Sequence, residues 1–356
     1  MTLAGAAAVA IGALLVAAVL FGVVTVVGRL VRRAARNRRA RLAAPARRLL
    51  VRLAAGDDDE TLIDQLVAVD ARTWKAVEPA AVAMLGKVRG EAHTALVEVF
   101  QRRGAGTRAE RDLHARSPVA RARAAEVLGN VGTADDVPQL VDLLHDKDPD
   151  VRVVVVRALG RIAHPSAAGP LLASTVGPTP VPPPLVAHAL VRLGLAAQVD
   201  VAAALDDPAE LARATALEVL GLIGAVGSAR QVEFALRSDL SIEVRLRAAR
   251  TLGRLGTRSA LAPLLEAMEP DRPPALRAEA AHALGELGAP AAAQPLAALL
   301  TDAEYRVAHE AARALLRLGA PGREALSASD SPHAREAIGI ADLEEARRGA
   351  LAVAGR

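Results

Sequence analysis

Apolar residues recur along this chain at two nested spacings, one within helices and one between them. In the stretch 244–275, Val244, Ala248, Leu252 and Leu255 fall at helical intervals, and Gly256 behind them predicts a left-handed helix stop. Leu261, Leu264, Leu265 and Met268 then predict a second helix. Two short amphipathic helices cannot bury their apolar faces alone, so copies must stack. The outer spacing supplies the copies. Leu128, Leu159, Leu190, Leu220, Leu252, Leu284 and Leu315 follow one another in steps of 31, 31, 30, 32, 32 and 31 residues. Leu85 in AVAMLGKV reads as an eighth unit, displaced by an insertion around 107–118.

The pattern predicts an all-α protein: an α-solenoid of helix pairs over 119–322, an atypical helical cap over 45–118 and a terminal cap over 323–356. Within 45–118 the predicted helices are 45–55, Glu60–Val69, Ala71–Val88 and Glu91–Arg102, with Trp74 packed where cap meets array. Polar Ser331–Val353 reads as the last helix. Two polar columns repeat inside the array. Asp146, Asp207, Asp239, Asp271 and Asp302 lie 13 residues before their leucine, in the loop ahead of a first helix, where a carboxylate accepts free backbone N–H groups. Arg121, Arg152, Arg213, Arg245 and Arg277 lie seven before it, within reach of such a carboxylate. These columns read as an Asp–Arg ladder between repeats, in preference to an arginine stripe for phosphate. Pro138, Pro170, Pro263 and Pro295 fit the first turn of second helices. Asp148-Pro149 and Asp207-Pro208 read as cap and first-turn pairs, and the Leu-Gly pairs as repeat punctuation. The stiff run Gly177–Pro184, GPTPVPPP, interrupts the third unit, which lacks its Arg.

The phrases VRLRAARTLGRLG, LRAEAAHALGELG and VARARAAEVLGNVG resemble HEAT repeats of the short bacterial, phycobilin-lyase type, over about two-thirds of the chain. The resemblance implies a right-handed superhelix used mainly as a binding scaffold, with a few enzymatic members. It also brings in membrane-tethered HEAT proteins associated with polysaccharide-building glycosyltransferases.

Charge changes the picture at one end only. The formal net charge is +4, but ten arginines lie between Arg29 and Arg52 and no acidic residue precedes Asp57. Setting those ten aside leaves 34 of the 44 basic residues against 40 acidic ones. The array is therefore mildly acidic and unsuited to tracking a phosphate backbone. Five aromatic residues leave few rings for stacking bases. The absence of cysteine excludes disulfides and thiolate chemistry.

Residues 3–28 carry no charged side chain, and as a helix would rise roughly 39 Å, enough to cross a bilayer. The run is too long for a signal peptide and lacks its basic start, so 1–28 reads as a transmembrane anchor. Arg29, Arg32, Arg33, Arg36, Arg38, Arg39 and Arg41 form a basic juxtamembrane segment over 29–44. They place the N-terminus outside and the solenoid in the cytoplasm, on the inner leaflet, against anionic lipid headgroups.

Candidate chemistry is sparse. His309-Glu310 resembles the His-Glu motif of the di-iron HEAT enzyme deoxyhypusine hydroxylase, but the equivalent columns hold Ala278-Glu279 and Leu246-Arg247, so no metal ligand set emerges. His188 and His282 share a column with Glu126, Arg157, Glu218, Arg250 and Arg313, a mixture that marks a solvated or ladder-forming face. No catalytic residue and no cofactor is assigned. The expected function is a non-catalytic adaptor for a membrane-associated protein partner. The second helices are expected to line the concave face, with Gln139, Asp142, Gln231, Glu233, Arg237, Glu266 and Gln294 as contacts. The alternative is an enzyme or enzyme subunit of bilin lyase or metal-dependent hydroxylase type.

Overall fold

The structure, a computed structural model, describes residues 40–56 and 60–354 together with a few positions between 21 and 38. Most of the 1–28 run expected to form an anchor lies outside the described residues, as do Arg32, Arg36 and Arg39. The chain forms two compact units that divide between Arg108 and Ala109.

The first unit holds helices α1 (40–54), α2 (Glu60–Ala68), α3 (Ala71–Leu85) and α4 (Glu91–Arg102). Asp70 caps α3 by accepting from the backbone N–H groups of Arg72 and Thr73 at 3.0 Å each. Trp74 is buried inside this unit. Phe100 meets its ring edge-on with centroids 5.4 Å apart, and the Arg103 guanidinium lies 4.2 Å from the ring centroid.

The division falls within α5 (Ala105–Asp112), and the second unit continues with the repeats. Their first helices are α6 (Pro118–Val131), α8 (Pro149–Ile162), α10 (Pro183–Leu193), α12 (Glu210–Leu222), α14 (Ile242–Leu255), α16 (Pro274–Leu287) and α18 (Tyr305–Arg317). Between them stand the second helices α7 (Val137–Asp142), α9 (Ala168–Ala173), α11 (Gln198–Ala203), α13 (Ala229–Ser238), α15 (Leu261–Glu266) and α17 (Ala293–Ala298). Helices α19 (Ala320–Ser327) and α20 (Pro332–Ala354) close the chain. All seven aligned leucines are fully buried. Among the described residues no strand occurs.

Gly256 ends α14 in the left-handed region at φ 64°. Pro138, Pro170, Pro263 and Pro295 all sit in the first turn of a second helix, and Asp148 caps α8 with Pro149 as its first residue. One local reading needs correction. Asp207 accepts from the Ala209 N–H at 2.7 Å, but α12 starts only at Glu210, so Pro208 belongs to the loop. The Leu-Gly pairs are of two kinds. Gly194, Gly256 and Gly288 have positive φ and end helices. Gly129, Gly160, Gly253 and Gly285 lie inside helices instead, where a Cβ would fall 2.6, 2.8, 2.9 and 2.8 Å from the Cα of Ala158, Ala189, Ala283 and Ala314. Each lets one first helix press its backbone onto the next.

Among the described residues only Pro183–Asp206, 24 residues, is long and apolar enough to cross a membrane. It is no straight span. Gly194 breaks it at φ 66°, and Leu190, Leu193, Ala197 and Val201 face the repeat core. The preceding Gly177–Pro182 loop is tied down by a hydrogen bond from Val181 N–H to Ser174 O of 2.8 Å.

Candidate functional site

Two ladders of polar contacts position the faces of the array. On the loop edge, Arg121 donates two hydrogen bonds of 2.7 Å to the Asp146 carboxylate. Arg213 reaches Asp239 at 2.7 and 3.0 Å, and Arg277 reaches Asp302 at 2.9 Å. Each arginine also donates to carbonyls of its own loop, as Arg213 does to Asp207 and Pro208. Each aspartate accepts an N–H two residues on, from Asp148, Ser241 or Glu304. One guanidinium thus staples two successive loops. Arg121 holds the Asp146 carboxyl below the usual range against the opposing effect of burial. Burial pushes the Asp239 carboxyl up, but Arg213 and the Ser241 N–H outweigh it and leave it lowered.

Four members of the expected ladder make no rung: Arg152, Arg245, Asp271 and Asp207, whose arginine position is held by Pro183. Arg152 bonds only the carbonyls of Asp146 and Lys147, because the third unit carries Gly177 where an aspartate would answer it. Arg245 bonds the Leu236 carbonyl, and Asp271 faces solvent beside Arg272 at 3.6 Å, because the turn after α15 carries it away.

A second ladder crosses the first helices. Glu218 pairs with Arg247 at 2.9 Å, Arg250 with Glu279 through two bonds of 2.9 Å, and His282 with Glu310 at 3.2 Å. The residue two before one leucine meets the residue five before the next. Glu310 is thereby engaged with His282 and, at 3.5 Å, with Arg313.

The second helices present an open groove between α11 and α13. Its volume is about 570 Å³, and Ala202, Leu205, Arg230, Gln231, Phe234 and Leu240 line it. The Arg213–Asp239 rung lines it too, so one wall is fixed by a partly buried ion pair. Phe234 is 67% exposed and Leu240 fully exposed. The polar contacts expected from sequence are dispersed around this feature. Gln231 lines the groove and is exposed. Arg237 and Glu266 instead bind each other through bonds of 2.7 and 3.0 Å, and Arg237 holds the Glu266 carboxyl low. Glu233 has a buried Oε1 without a hydrogen-bond partner. Asp142 and Gln294 are exposed on α7 and α17, and Gln139 is half-buried, all on other repeats. The apolar rim lies outside the polar positions predicted from sequence; its signal there is Phe234, the one phenylalanine beyond Phe100.

An all-helical array of stacked helix pairs with an open groove on its second helices defines a repeat protein of the solenoid class. A family model described as HEAT repeats matches residues 110–180 and 229–317. The fold of the chain is similar to that of Kap121p bound to Nup53p, at 12% identity and a TM-score of 0.50, over 74% of this chain and 34% of that one. It is also similar to human deoxyhypusine hydroxylase, with 22% identity and a TM-score of 0.31, covering 67% of this chain and 95% of that one. The CpcE–CpcF complex of phycocyanin lyase from Nostoc sp. gives 23%, 0.32, 67% and 93% for the same quantities. At these identities the likeness is one of fold. No curated protein matches the chain in sequence.

Proposed function

We propose that this chain is a HEAT-repeat protein that serves as a non-catalytic scaffold, tethered to the inner membrane through residues 1–28, and binds an apolar segment of a membrane-associated protein. Its N-terminus lies outside and its array in the cytoplasm. The observation that carries the reading is the pair Phe234 and Leu240, two large apolar side chains left in water beside a groove with an anchored wall. A partner side chain entering there buries both at once. HEAT repeats recur in proteins whose stacked helices serve as interaction surfaces, which favours the same reading. The exposed arginines Arg29, Arg33, Arg38 and Arg41 suit anionic headgroups, each adding about 1 kcal/mol close to the surface. Membrane glycosyltransferase complexes are the partner class to test first.

Tagged full-length protein, extracted from native membranes in mild detergent, should bring a near-stoichiometric membrane protein with it. A Phe234→Glu/Leu240→Glu variant with unchanged melting should lose that partner. Retention of the partner by this variant would remove the groove from the reading. A C-terminal reporter active only outside the cell would overturn the topology.

A further inference from the structure

The last first helix and the terminal helix bring together side chains that the sequence keeps apart. His309 lies on α18; His333 and Glu336 lie three residues apart in the first turns of α20, on one face. One ligand atom from each of the three lies within 4.8 Å of the others, and among the described residues this is the one such cluster. Tyr305, one turn before His309, stacks on its ring with centroids 5.6 Å apart and meets the His333 ring edge-on at 5.0 Å. A single aromatic side chain therefore holds both imidazoles. The Nδ1 atom of His333 is buried and makes no hydrogen bond. A buried ring nitrogen without a partner costs free energy that a bound cation would recover. Glu310 plays no part, since His282 and Arg313 hold it.

The geometry points to a site for one divalent transition-metal ion, of the zinc type, held by His309, His333 and Glu336. Two imidazoles and one carboxylate form a donor set that zinc accepts with its fourth position open. Ligand atoms on a tetrahedral zinc ion stand roughly 3.3 Å apart, so the three must close on the ion, and the exposed Glu336 side chain has the freedom to do so. The three donors line a cavity of about 480 Å³ together with Arg313, Arg317 and Arg323. An ion there would bind a water molecule or a small anion in its fourth position. It would also join the last repeat to the terminal helix, adding to the Tyr305–His333 ring contact already there.

The test uses full-length protein in detergent, stripped with a chelator and carrying a tag free of histidine, titrated with Zn²⁺ alone and with Co²⁺ alone. One ion per chain is expected, with the strong visible absorption of four-coordinate cobalt and a rise in melting temperature. The His309→Ala/His333→Ala variant should lose the ion, and His188→Ala should keep it. Where the double variant melts early, Glu336→Gln, at an exposed position, should fold normally and bind at least tenfold more weakly. Absence of a stoichiometric ion, binding that survives the double variant, or unchanged affinity in Glu336→Gln would each overturn the site.

Discussion

Two joints in the array are built from the same kinds of helix and share few of the same contacts. Where α16 meets α18, Gly285 presses against Ala314, Arg277 staples Asp302 and His282 pairs with Glu310. Where α10 meets α12, Val191 stands in the glycine position, Pro183 in the arginine position, and His188 faces the column of Thr215. The residues lost are those that point toward the next repeat. Ala189, which points back, still receives Gly160. Coupling in this array is thus directional: the other repeats grip their successors with the interior glycine, a ladder arginine or a charge on the first helix, in varying combinations. The third repeat carries none, so its forward joint rests on apolar packing alone. The groove with Phe234 and Leu240 opens between α11 and α13, the second helices of those same two repeats. The candidate binding surface therefore lies over the least stapled joint.

The largest effect should come from removing a staple. Arg213→Ala deletes two bonds to Asp239, whose side chain is only 8% exposed, together with two carbonyl bonds. An uncompensated buried carboxylate costs about 3 kcal/mol, read as a lowered midpoint in urea. Pro183→Ala, at the equivalent position of the unstapled repeat, should cost clearly less.

Next comes the glycine contact. Gly285→Ala places a methyl group 2.8 Å from the Ala314 Cα, backbone that cannot move without shifting a helix. Overpacking of this kind costs about 2 kcal/mol in thermal or chemical unfolding. Val191→Ala, in the same column at the joint without the close approach, should change stability by less than about 1 kcal/mol.

Acid should weaken the stapled joints selectively. Asp146 and Asp239 both have lowered carboxyl pKa values in the folded state. A lowered folded value means the stabilisation is complete above the unfolded pKa of roughly 3.9 and disappears as pH falls through the folded one. Stability measured between about pH 5 and pH 3 should therefore fall, and fall less steeply in Asp146→Asn. An unchanged slope in that variant would show that its rung contributes nothing to the acid response.

How much of this was legible depended on period. The seven leucines announce themselves because one spacing recurs, and every one is buried. The Asp and Arg columns could be aligned the same way. Alignment could not reveal that Asp271 swings out, since its spacing is regular and the turn conformation after α15 decides it. The interior glycines read only as repeat punctuation because Leu-Gly occurs in both settings, and backbone conformation and distance separate them. His333 and Glu336 were beyond reach for a different reason. They lie past the last aligned unit, where no repeat phase says which face of α20 meets α18.

The smallest effect tests the glycine argument by reversing its sign. Gly339 lies inside the long α20, exposed, and a Cβ built on it meets nothing within 4 Å. With no neighbour to displace, only helix propensity remains, and alanine is favoured over glycine there by about 0.5–1 kcal/mol. Gly339→Ala should therefore raise stability in the experiment in which Gly285→Ala lowers it. Both positions are helical glycines and both substitutions add one methyl group. If the two variants shift the unfolding midpoint in the same direction, backbone approach between successive first helices is not what the interior glycines provide. Opposite shifts would make these glycines close-packing positions and would mark Val191 as the place where that packing is interrupted.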